Sequence, residues 1–124
     1  MDFDALLKEA SRYENRLRAH RRALHHIPEL GYEEHETHAY LMEHLRALAP
    51  DDLKTFARTG IRAVFRGDGT GRVIAFRSDI DALPIQEATG RDYASCHSGK
   101  MHACGHDGHM ANLVTFAQWL REHR

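Results

Sequence analysis

The chain has 124 residues, 42% hydrophobic and 28% charged, with a formal net charge of -1. That length allows one domain at most, and that composition is ordinary soluble globular material. The near-zero charge argues against nucleic acid or an anionic membrane as a partner, and no apolar run approaches transmembrane length.

Residues 4–26 are predicted as a first helix, because Leu6, Leu7, Ala10, Leu17 and Leu24 fall at helical spacing. Ile27-Pro28 stops it, since a proline disfavours helix in the residue before it. A second helix is expected from about Glu33 to Leu48, with Glu33, Glu34 and Glu36 placed to suit its N-terminal dipole. The period then changes. Leu53 to Ala57 is a short strand, Thr59-Gly60 is a turn, and Ile61, Ala63 and Phe65 alternate as in a half-buried strand. Gly67 to Gly71 is a glycine-rich hairpin turn. It lacks the lysine and the following helix of a phosphate loop. Val73 to Phe76 is apolar at every position, the pattern of a central strand buried on both faces. Asp79 and Asp81 follow at the carboxyl end of that strand, where ligands sit in open α/β sheets. On their own they read as turn residues. Residues 85–100 form an irregular loop. Gly108 to His123 is a helix with Met110, Leu113, Val114, Ala117 and Leu120 as its core stripe and Asp107 as its N-cap.

The densest chemistry is Met101-His102-Ala103-Cys104-Gly105-His106-Asp107-Gly108-His109. His102, Cys104 and His106 alternate, so an extended backbone would put them on one face. Thiolate and imidazole are the donors that zinc and its neighbours select. A thiol peptidase pairing Cys104 with His106 is disfavoured, because such a pair belongs on different elements facing a cleft. With a metal site beside them, Asp79 and Asp81 read as part of that site. Cys96 and Cys104 form neither a CxxC motif nor a disulfide framework, which fits a reducing, cytoplasmic setting. The start of the chain also lacks the basic and apolar segments of a signal peptide.

These stretches resemble the amidohydrolase branch of the M20 metallopeptidases, the group of aminoacylases, hippurate hydrolases and indole-acetyl-amino-acid hydrolases. The resemblance is carried by Arg22 to His25 through Pro28-Glu29-Leu30 to Glu36-Thr37, by Thr59-Gly60-Ile61, by Arg77 to Glu87, and by Ser98 to His109. It covers almost the whole chain. It implies an α/β catalytic domain of the zinc-peptidase kind, with a mixed sheet flanked by helices, of which residues 1–124 are the N-terminal portion. It also implies a divalent metal, zinc or manganese, with two ions in a complete relative. By position, Cys104 and His106 match metal ligands. Asp81 matches the aspartate that supports a ligand from behind. Asp79 stands where the wider family has a histidine, and His102 and His109 are open between supporting and structural roles.

The same resemblance implies an N-acyl amino acid or short peptide as the small-molecule substrate. The family's paired glutamates, its later histidine ligands and its lid domain have no counterpart in these 124 residues. The expectation is therefore a catalytically incomplete amidohydrolase piece. The alternative is a non-catalytic remnant or interaction module that holds a metal weakly. An uncovered Val73–Phe76 strand also predicts self-association.

Overall fold

The computed structural model describes residues 2–124. The elements run α1 (Phe3–Ser11), α2 (Glu14–His26), α3 (His35–Ala47), β1 (Asp52–Phe56), β2 (Gly60–Val64) and α4 (His106–His123). The expected α/β class is present. Among the described residues the sheet is one antiparallel pair, with Asp52 opposite Val64 and Phe56 opposite Gly60.

The expected first helix is two. Asp2 caps α1 by accepting from the Asp4 and Ala5 amides, and the chain turns at Arg12–Tyr13 before α2 begins. The break lets the two helices meet different parts of α4. Leu24 of α2 enters the core, whereas α1 buries no residue and is tied by polar contacts to the far end of α4. There Trp119 Nε1 donates to Glu9, and the Tyr13 hydroxyl donates to Glu122.

Helix α2 ends at His26 with Ile27 as its C-cap, as Pro28 dictates. The Glu29 carboxylate then accepts from the Glu36 and Thr37 amides at 2.9 and 2.8 Å, satisfying the first turn of α3 from outside the helix. Burial alone would raise the Glu29 carboxyl, but these amides outweigh it and hold it below its ordinary value. Glu34, expected to serve the same helix dipole, is buried and accepts instead from the Thr59 hydroxyl at 2.6 Å. That bond pins the hairpin turn, where Ala57 and Arg58 take φ of 45° and 72°.

Leu24, Leu41, Met110 and Val114 form the core, with Tyr40, Ile61 and Ile80 packed around it. Two expectations fail here. The expected turn at Thr59-Gly60 does close the β1–β2 hairpin, but Gly67 to Gly71 closes no second one. Val73 to Phe76 forms no strand, and Val73, Ile74 and Phe76 are 98%, 74% and 58% exposed. An apolar run says that a segment prefers burial, but a strand also needs neighbours to bond, and none lies beside it among the described residues. Among the described residues no helix is long and apolar enough to cross a membrane.

Candidate metal centre

The two motif-bearing segments are joined by their backbones. Leu83 and Met101 exchange hydrogen bonds of 3.0 Å in each direction, and the Ala82 amide donates to the Glu29 carbonyl at 2.7 Å. Beyond Met101 the chain turns at Gly105, whose φ of 89° is a conformation glycine adopts without strain. Helix α4 starts at once with His106. Asp107 therefore lies inside its first turn and is not the cap.

This start brings His106 onto the aspartate segment. His106 Nδ1 is 2.8 Å from the Asp81 carbonyl oxygen and 3.1 Å from Asp81 Oδ1. With Nδ1–H donating to these oxygens, Nε2 keeps its lone pair for another partner. Asp79 Oδ2 stands 3.9 Å from Nε2, while its other oxygen accepts from Arg77. Cys104 is a free, exposed thiol two positions before His106. His109 is exposed, with its ring 5.7 Å from that of His106. The shared face expected for His102, Cys104 and His106 does not form. His102 is buried while Cys104 is exposed, because the chain already bends at Cys104–Gly105, before the helix begins.

Behind this surface lies a buried ionic network that sequence reasoning missed. His25 of α2 contacts Asp107 Oδ2 through Nδ1 at 2.7 Å and Glu87 Oε1 through Nε2 at 3.1 Å. Arg21 Nε reaches the same Asp107 oxygen at 3.3 Å. Glu87 also accepts from the Thr89 hydroxyl and the Ser95 amide. Burial alone would raise its carboxyl, but these donors and His25 hold it at about 2. Asp107 is thus recruited across the molecule, and the recruitment fixes the first turn of α4 against α2. The only signal in the sequence was the likeness of the blocks that contain these residues, Arg22 to His25, Arg77 to Glu87 and Ser98 to His109. No local spacing marks contacts between residues 62 and 82 positions apart.

A cavity of about 570 Å³ opens beside the network, with Arg21, Arg91, Tyr93, His102 and Cys104 on its walls. Both ring nitrogens of His102 and Asp107 Oδ1 are buried without a partner among the described residues. Burial pushes the His102 imidazole below its ordinary pKa, against the opposing pull of Asp107.

Thiol, imidazole and carboxylate suit a borderline divalent ion, with Cys104 Sγ and His106 Nε2 as donors and Asp81 orienting the ring. They fit as part of a shell. A usual zinc site takes about four donors, and no three His, Cys, Asp or Glu side chains are jointly placed for an ion among the described residues.

Residues 75–124 match the model of peptidase family M20/M25/M40. An N-acetyldiaminopimelate deacetylase of Leuconostoc citreum is 49% identical over 112 residues, which is 87% of this chain and 29% of that protein. The protein of that name from Streptococcus gordonii is 52% identical over 94 residues, 73% of this chain and 25% of its own length. A crystal structure of the YXEP protein of Bacillus subtilis, described as a dinuclear metal binding peptidase from the M20 family, superposes with a TM-score of 0.85 at 40% identity. That match covers 92% of this chain and 32% of the other. The chain belongs to the M20 metallopeptidase family, as a partial, N-terminal part of its fold. It spans 29% or less of the length of these two deacetylases.

Proposed function

We propose that this chain contributes the Cys104–His106 part of the divalent-metal centre of an amidohydrolase that cleaves N-acyl amino acids. The observation that carries the reading is the His106 ring, held through Nδ1 by Asp81 at 2.8 and 3.1 Å, with Nε2 left to a partner and a free exposed thiol two residues away. The deacetylase relatives and the dinuclear neighbour support an amide substrate and a metal, zinc or manganese. Two free cysteines support a reducing, cytoplasmic setting.

In this reading His106 and Cys104 hold the ion, and Asp81 keeps the imidazole in the tautomer that can bind it. Asp79, at 3.9 Å from Nε2, adds negative charge on the same side. When bound, such an ion polarises an amide carbonyl and acidifies water. The network of His25, Asp107 and Glu87 fixes the turn on which both donors sit. After Gly108 no carboxylate of this chain lies near that point. Glu122, the sole acidic residue after Gly108, lies near the far end of α4, an 18-residue helix roughly 27 Å long. Its carboxylate is engaged by Tyr13 and Gln118.

A second reading, a non-catalytic module that binds a metal weakly, is favoured by the incomplete donor set among the described residues. Competition with a chromophoric chelator tests the metal assignment. Wild type should take zinc from the chelator more strongly than Cys104→Ser or His106→Ala. Equal competition by all three would remove it.

A further inference from the structure

The cavity beside Cys104 carries positive charge that the protein does not use. Of the two guanidiniums on its walls, Arg21 is joined to Asp107 at 3.3 Å, whereas Arg91 has no carboxylate partner among the described residues. The one carboxylate on the walls, Glu87, is taken up by His25, Thr89 and the Ser95 amide. Tyr93 is fixed by its ring, which lies edge-on to His25 and under the Arg22 guanidinium at 4.9 Å. Its hydroxyl makes no hydrogen bond among the described residues. His102, only 4% exposed on the inner wall, has both ring nitrogens unpartnered. A cavity lined this way has spare donors and an uncompensated cation, and it borders the thiol.

We propose that this cavity is a carboxylate subsite, in which Arg91 pairs with a carboxylate of the N-acylated amino acid. Arg91 serves as the specificity-determining residue, and Tyr93 and His102 supply the neutral polar wall. The guanidinium presents parallel N–H groups matched to the two oxygens of a carboxylate, and a charge-assisted pair of that kind is stronger than a neutral hydrogen bond. A volume of about 570 Å³ is in the range of small-molecule sites. The proposal rests on the amidohydrolase reading for its choice of ligand, but the pairing itself needs no metal.

The test is therefore run in excess chelator, on the 124-residue chain labelled with ¹⁵N. N-acetylalanine is titrated against its methyl amide, which keeps the acyl group and loses the charge. N-acetylalanine should shift the amides of Arg91, Tyr93 and Ala103 and bind about tenfold or more tightly than the amide. Arg91→Gln should abolish that difference, and Arg91→Lys should restore part of it. Arg46→Gln, on the exposed side of α3, should leave it unchanged. Equal binding of the two compounds, or a preference that survives Arg91→Gln, would overturn the proposal. Because no metal is present, that result would leave the assignment of Cys104 and His106 standing. Loss of zinc binding in the chelator competition would likewise leave this one standing.

Discussion

His20 of α2 sits against Tyr40 and His44 of α3, with its Nδ1 2.7 Å from the Tyr40 hydroxyl. Burial, then the charges of His44 and Arg16, lower its pKa from 6.5 to about 4. The unfolded chain therefore takes up this proton first as pH falls. The stabilising contribution is full above about pH 6.5 and is lost as pH drops from there towards 4. Denaturant unfolding between those limits should show stability rising with pH, and His20→Phe should flatten that slope. An unchanged slope would contradict the assignment. The buried network makes a second prediction. His25→Ala leaves Asp107 and Glu87, with side chains 1% and 2% exposed, without their shared partner. Breaking such an arrangement typically costs about 3–5 kcal/mol, read as a lowered denaturant midpoint. A loss below about 1 kcal/mol would show that water enters and replaces the imidazole. At this scale the sequence was informative where chemistry is local. Cys104 and His106 stand out by residue type and spacing, whereas Asp81 reads as a turn residue on its own and was marked by the family resemblance; it does lie against His106. His25, Glu87 and the role of Asp107 were not legible, because their meaning arises only when α2, the 85–100 loop and α4 meet.

Among the elements, the helices and the β1–β2 hairpin were readable from periodicity, with ends within a few residues. Two boundaries were misread for physical reasons. The long first helix breaks at Arg12–Tyr13, and the break is accompanied by contacts of Glu9 with Trp119 and of Tyr13 with Glu122, which hydrophobic spacing does not encode. The start of α4 is set by Gly105 and by the pull of His25 and Arg21 on Asp107, so the rule that favours aspartate at an N-cap gives way. Val73 to Phe76 was read as a buried strand, and its exposure carries a prediction. Ile74 is 74% exposed and Val73 98%, while Phe76 reaches only as far as the Phe116 ring at a centroid separation of 4.8 Å. An unpaired apolar segment of this kind pairs readily with another chain. Light scattering should show concentration-dependent association that Ile74→Lys reduces. A monodisperse monomer at high concentration would show that the segment is protected in solution.

For the whole molecule, the family and the α/β class were legible because two long motifs survive intact in the sequence. What those motifs leave open is the complete reaction. A placed general base typically contributes about 10²–10⁴-fold, and no carboxylate beyond Gly108 other than Glu122 exists in this chain to supply it. The chain alone should therefore show no enzymatic hydrolysis of N-acetyl- or N-benzoyl-amino acids with added zinc or manganese. Turnover that survives purification and vanishes in Cys104→Ser would mean that a partner chain or a second copy brings the base. In the proposed reading, Cys104 and His106 together hold a divalent ion. Titration with cobalt(II) tests it most directly, because a thiolate bound to cobalt gives a charge-transfer absorption that oxygen and nitrogen donors do not. Wild type should develop that absorption on saturation, His106→Ala should need more cobalt to reach it, and Cys104→Ser should never show it. The same absorption at the same cobalt concentration in His106→Ala, or its persistence in Cys104→Ser, would contradict the account.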